Sequence, residues 1–453
     1  MPSESKIKKV LKSRILLRPP VDSDPRLLSS RKRGIILICL ALCACTPGFS
    51  STIYFPGLPN ITSDLHAPPI ATTLTAALFI LAMGIAPVFW ASLSDFYQVR
   101  RVLFLFSMLI FAAASIGCAF INNIWGLVVL RCVQSCGASC GQSVGAGVVA
   151  DCYPIEKRGA AFDSKFDLEL PVSQPSNVSA LSSSTGSITI PQDTDDKAGS
   201  GLNKTGIEGS TVIQHEKKNA PETSGPKEAK KSINPIAPFL LLRHPFILIA
   251  SLASGIAFGS MFAVETITPD LYEAHYGFNS WKTGLSYLSG GIGNLLGAIV
   301  SGNTSDRLLL RARERRGGKE VVEDRLTVTL WPAFFFFMPF GILLYGWTIE
   351  RGFVVWAPIV GFGCLNFGMN LIMTSTSAYL VDGLSGQGAS VTAAANLVRM
   401  VIACVLTIAA NPMVTSIGPG YTSVFLACLC FVGALLLLLL KFQGEKMRHW
   451  SGY

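Results

Sequence analysis

Charge is scarce in this chain. Asp, Glu, Lys and Arg make up 14% of its 453 residues, against about a quarter in an ordinary soluble domain, while half the residues are apolar. Long apolar runs recur along most of the sequence. They contain no Lys, and Arg131, Glu265 and Arg399 are the only formal charges inside them. That pattern excludes an ordinary soluble enzyme or binding domain. Histidine is equally sparse: of five, four fall in loops or tails and the fifth beside a run. No His/Asp/Ser constellation and no metal-ligand spacing is therefore available to a membrane enzyme. All 12 Cys lie in or at the ends of the runs, which leaves none for an extracellular disulfide framework. Cys132, Cys136 and Cys140 share a helix face and read as small packing residues. No metal and no other cofactor is implied.

What is present is apolar length. Runs at 34–55, 72–93, 102–121, 124–150, 246–267, 283–302, 326–347, 353–380, 389–410 and 422–440 each approach or exceed the roughly 20 residues that carry a helix across about 30 Å of hydrocarbon. The expectation is an all-α polytopic membrane protein, a two-half helical bundle of about ten transmembrane helices. The basic residues fix its orientation. Twenty-four Lys and Arg fall in the two tails and in alternate connections, against two in the remaining connections. This asymmetry predicts that both termini are cytosolic. The net charge of +9 is thus spread over membrane flanks and does not form a nucleic-acid stripe.

Composition also divides the chain. Residues 163–244 hold 12 Ser and repeated Lys, Pro and Gly but no Trp, Tyr, Cys or Met, the makeup of a disordered linker. The expected layout is a basic tail at 1–33, a four-helix half at 34–162, a cytosolic linker at 163–244, a six-helix half at 245–440 and a tail at 441–453. The halves echo each other. "WASLSDFYQVRR" in the first has a counterpart in "VSGNTSDRLLLRAR" in the second, with Asp95 and Asp306 at equivalent places and Ala91 or Gly302 four residues earlier.

These residues resemble the major facilitator superfamily, whose signature after the second helix of a half is a Gly, a Ser-Asp and a trailing basic cluster. Here that cluster is Arg100 and Arg101 in one copy and begins at Arg307 in the other. "LRCVQSCGASCGQ" is similar to a second family motif, and "AYLVDGLSGQGASVTAAANLVRMVIA" resembles the fungal-type drug/proton antiporter branch. The resemblance implies twelve helices. The fifth and sixth, with their Gly-Pro and Gly-Gly pattern, are expected after Phe162 and are not found before His244. It further implies proton-coupled export of small organic molecules or drugs, amphipathic or cationic, by alternating access. The partners are then a small-molecule substrate, protons and the lipid bilayer, with no nucleic acid, and the protein acts as a monomer in the plasma membrane. The rival is a truncated, non-transporting facilitator-like protein with a binding or sensing role.

The residues expected to carry the mechanism are polar groups that the bilayer disfavours. Arg131 lies about 10 Å into its run, where a charge costs about 2.5–3.5 kcal/mol on insertion scales, so it needs a polar partner or water. Gln134 and Gln142 are placed near its face. Arg399 is deeper in its run, with Asn396 a turn away. Asn366 and Asn370 form a polar stripe, and Asn294 is graded with them. Each of these can instead simply hydrogen-bond helices together. Glu265 is the only acid well inside a run and can load and release a proton as its solvation changes. The family implies gate roles for Asp95, Arg100, Arg101, Asp306 and Arg307. Gly290, Gly291, Gly293 and Gly297 read as a close-packing stripe.

Overall fold

The structure, a computed structural model, describes residues 30–97, 100–142, 144, 148, 237–315, 323, 326, 330–384 and 388–451. Among these residues every regular element is helical. The first half supplies α1 (Ser30–Thr52), a 3-10 turn (Phe55–Gly57), α2 (Leu58–Asp64), α3 (Pro69–Tyr97), α4 (Arg100–Phe120) and α5 (Ile124–Ala138). The second supplies α6 (Ala237–Leu241), α7 (Pro245–Tyr276), α8 (Ser280–Ser286), α9 (Leu288–Arg315), a π-helical turn (Leu330–Phe337), α10 (Met338–Glu350), α11 (Trp356–Gly383) and α12 (Gly388–Trp450).

Local chemistry sets the helix ends. Asn123 caps α5 by accepting the Trp125 N–H at 3.0 Å, and Asn279 caps α8 by accepting that of Lys282 at 3.1 Å. Helix α7 starts with Pro at its first position and stops at Gly277, whose φ of 61° is the left-handed closure that glycine allows. It is 32 residues long, about 48 Å, so it outruns the apolar core and carries Asp270 and Glu273 past the expected end of its span.

Among the described residues, eight helices are long and apolar enough to cross a membrane. Two of the ten expected runs account for the difference. The last of the eight, 61 residues, holds both final runs, and Gly418 at φ 84°, ψ 164° breaks it into two. The backbone N–H of Gly420 then donates to Glu350 Oε2 at 3.3 Å, which gives the second stretch an N-terminal cap. The run at 283–302 falls mainly on α9, whose Gly, Ser and Asn content and charged end dilute its hydropathy.

Lipid offers apolar side chains no drive to associate, so close fit must hold the helices together. Helix α7 lies along α12; α11 packs on α9 and α10; α5 packs on α3 and α4; and α3 joins the halves by lying on α12. At that crossing a Cβ on Gly84 would sit 2.6 Å from Met400 Cβ, so only glycine permits the approach. Gly290, Gly293 and Gly297 abut Phe362, Gly363 and Asn370 of α11 as the packing stripe requires, whereas Gly291 faces open space. Helix α7 is the most enclosed, with 78% of its apolar window buried; α4, at 17%, is a peripheral helix. The segment 163–236 and the junction at Phe162 lie outside the described residues.

Candidate functional site

Two of the polar groups that the bilayer disfavours, Arg131 and Glu265, lie on opposite sides of the seam where α3 packs on α12 and the turn Phe55–Gly57 packs on α7. Arg131, 4% exposed, projects from α5 and donates through NH1 to Gln134 Oε1 at 2.7 Å. The Gln134 Nε2 donates onward to Ser115 Oγ on α4 at 2.8 Å. Longer contacts of 3.4 and 3.5 Å reach the carbonyl and hydroxyl of Ser50 on α1. The faces of the guanidinium are covered by two rings, Tyr54 at 4.0 Å and Phe79 at 4.1 Å from its carbon. Cation–π contacts of this kind contribute about 2 kcal/mol or more each when desolvated, enough to offset much of the insertion cost. Tyr54 is held by a 2.7 Å hydrogen bond between its hydroxyl and Thr75 Oγ1. One polar edge remains unused: Arg131 Nε is buried without a partner.

Across the seam, Glu265 on α7 is 6% exposed and its Oε2 has no hydrogen-bond partner. Its backbone carbonyl accepts from the Tyr287 hydroxyl at 2.6 Å, and a turn farther on Thr268 Oγ1 meets the Tyr345 hydroxyl at 2.7 Å. On the same face of α7, Phe262 meets Phe55 of the first half with ring centroids 6.1 Å apart, and Phe55 is 1% exposed. Further contacts close this end of the seam: Asn60 Nδ2 donates to Ser280 Oγ at 3.1 Å and Asn411 Nδ2 to Thr73 Oγ1 at 2.9 Å.

The remaining expected residues divide. Asn294 and Asn366 pair across α9 and α11, Nδ2 to Oδ1 at 3.2 Å. Asn370 lies against Gly297 and accepts from Thr374 of its own helix. Arg399, partly buried, reaches toward the Phe258 ring at 6.0 Å, and Asn396 joins no hydrogen bond with it. Gln142 is not brought into the Arg131 cluster: it lies on the same helical span, Ile124–Gln142, but 11 residues farther on, about 16 Å along the axis. Arg101 is exposed on α4; Asp95, Arg100, Asp306 and Arg307 lie on the described helices, but their side chains are outside the described residues. Ser50, Tyr54, Phe79 and Ser115 were not expected. Nothing in the sequence separates them from other small or aromatic residues of apolar runs.

Several known proteins are similar to this chain in sequence. It is 29% identical over 427 residues to the MFS transporter eqxG of Fusarium heterosporum, with 93% of this chain and 85% of that one covered. It is 24% identical to the MFS antiporter QDR3 of Candida albicans, covering 97% and 82%. It is 25% identical to the efflux pump radE of Floropilus chiversii, covering 88% and 78%. In fold it is similar to a bacterial homolog of the human lysosomal transporter Spinster, with a TM-score of 0.56 at 12% identity over 93% of this chain and 99% of that one. The profile of the Major Facilitator Superfamily matches residues 40–162 and 214–407, well over half the sequence. With that match and a helical membrane fold in agreement, this chain belongs to the Major Facilitator Superfamily, a transporter and not an enzyme.

Proposed function

We propose that the protein exports small organic molecules in exchange for protons by alternating access of the seam to the two sides of the membrane. The observation that carries this reading is Glu265. It is a carboxyl inside a membrane helix, on the α7 face that touches the first half, with Oε2 unpartnered. A carboxyl without a cation partner changes charge when water reaches it, so opening the seam on one side or the other can load or unload its proton. Arg131, locked by Gln134 and two rings, would fix the electrostatics of the opposite wall. The contacts Phe55–Phe262, Asn60–Ser280 and Thr73–Asn411 all lie at the ends that the charge asymmetry assigns to the outside. That arrangement is closed outward, with both termini cytosolic.

The names of two relatives, an antiporter and an efflux pump, support exchange and export. We place the protein in the plasma membrane as a monomer and assign Asp95, Arg100, Arg101, Asp306 and Arg307 to its cytosolic gate. We also read the junction after Phe162 as lacking the fifth and sixth helices of a twelve-helix plan. The family match, which breaks off at residue 162 and resumes at 214, supports this. Transcripts should carry an in-frame segment of roughly 60 residues there. Proteoliposomes holding the chain, with and without that segment, test the function. An imposed proton gradient should drive substrate movement, and Glu265→Gln should leave binding but remove the response to the gradient. Gradient-driven movement by the Gln form would refute the assignment.

A further inference from the structure

Two cationic side chains, one in each half, flank a set of aromatic residues that meet at the seam. Arg131 lies against Tyr54; the next residue, Phe55, meets Phe262 at 6.1 Å; Phe262 meets Phe258 at 4.8 Å; and Phe258 faces Arg399 at 6.0 Å. Among the described residues neither guanidinium meets a carboxylate, and the Nε of each is shielded from solvent with no hydrogen-bond acceptor. A buried donor on a cation is costly to leave unused, and these two have acceptors missing at matching ends of one apolar track. Arg131 is the rigid end, its NH1 already engaged by Gln134. Arg399 is the available end: its only ring contact is distant, and its Cα lies beside Gly255, where the absence of a side chain brings α7 close.

We infer that the inner part of this set is the substrate site and that it selects amphipathic organic anions, with Arg399 taking the acidic group and Phe258 and Phe262 taking the apolar body beneath the Phe55 contact that closes the outer end. This deepens the export reading and rests on it, and it replaces the amphipathic or cationic cargo expected from resemblance. The proton site is separate. Glu265 is ten residues beyond Gly255 on α7, about 15 Å of helix, so the acidic group at Arg399 does not compete with it for the same space, although the apolar body on Phe262 lies within about a turn of it. Guanidinium suits the task, because its planar fork binds carboxylate in two parallel hydrogen bonds while its face rests on a ring.

The test uses three probes with one ring body: 1-pyrenebutyrate, its primary amide and 1-pyrenebutylamine. Binding is read by fluorescence transfer from the chain's Trp residues, on the purified 453-residue protein and on the chain with the segment after Phe162 restored. Flux is read in proteoliposomes of both. The carboxylate should bind about tenfold more tightly than the amide, and the amine more weakly still. Arg399→Gln should erase most of the carboxylate-to-amide ratio, Arg399→Lys should keep part of it, and Phe258→Leu should weaken all three probes alike. The ranking on the unaltered chains needs no substitution, so a variant that fails to fold cannot decide the matter. Equal binding of carboxylate and amide, tighter binding of the amine, or no binding to either form would overturn the inference. Flux without a preference for the carboxylate leaves export standing and removes the anion site. A carboxylate preference without flux does the reverse.

Discussion

Arg131 and Arg399 put the same charge into the same bilayer, yet the chain houses them differently. Arg131 is sandwiched between Tyr54 and Phe79, hydrogen-bonded to Gln134 and linked through it to Ser115, so three helices agree on its position. Arg399 has one ring at 6.0 Å and no hydrogen bond on its Nε. A cation satisfied by its surroundings sets a fixed field; one that is not is left to be satisfied by something that arrives. The two halves of the seam thus divide the work between a built wall and an open seat.

The largest expected effect comes from breaking the built wall. Arg131→Ala removes a hydrogen bond to a charged group and two cation–π contacts, together about 3 kcal/mol or more, so export should fall roughly a hundredfold or to background while the protein still reaches the membrane. Arg131→Lys should recover little, because an ammonium cannot lie flat between two rings and reach Gln134 at once. At Arg399 the same pair of changes should separate: Ala costs about tenfold and Lys much less. Transport assays on matched surface amounts measure both. Equal loss from the two Lys forms would erase the distinction between wall and seat.

Next in size is Gln134→Leu. It leaves the guanidinium in place but cuts the 2.7 Å bond and the link to Ser115 on α4, so a tenfold fall in export is expected without a matching fall in binding. Tyr54 sharpens this further. Tyr54→Phe keeps the ring over Arg131 and loses only the bond to Thr75, for about a twofold to fivefold effect, whereas Tyr54→Leu should approach the Gln134 result. If Phe and Leu behave alike, the ring is not what steadies Arg131.

The span arithmetic made most of the fold legible, because a bilayer imposes one length on every crossing helix. It misplaced the end of α7, since Pro269, Asp270 and Glu273 interrupt the apolar pattern while the helix runs on to Tyr276. It separated the last two spans, and Gly418, at φ 84° and ψ 164°, breaks the helix between them. At the site, charge inside an apolar run was a loud signal, and Arg131, Glu265 and Arg399 were all found by it. Gln134 is legible as a companion one turn away, whereas Gln142, on the same span and near the same face, is 11 residues from Arg131 and too far along the axis to reach it. The aromatic cage was silent. A Tyr or Phe in an apolar run looks the same whether it faces lipid, core or a cation, and only the packing of α1 and α3 onto α5 tells them apart.

The smallest effect is expected in the polar pair of the second half, and it asks whether that wall is structural. Asn294 donates one long bond, 3.2 Å, to Asn366 Oδ1, and its own Oδ1 is buried and unsatisfied. Asn294→Ala therefore loses a weak bond and at the same time removes an orphan acceptor, and the two changes nearly cancel. Interhelical hydrogen bonds in bilayers contribute about 0.6 kcal/mol on average, so the variant should lie within about 1 kcal/mol of the parent in thermal unfolding in detergent. Asn366→Ala should cost more. Asn366 is 1% exposed, it also donates to Phe362 O at 2.9 Å, and its removal leaves Asn294 with no partner at either end. Export by Asn294→Ala should stay near the parent's. A strong loss of export with unfolding unchanged would move this pair from the scaffold to the substrate path and make the second half's wall as functional as the first's.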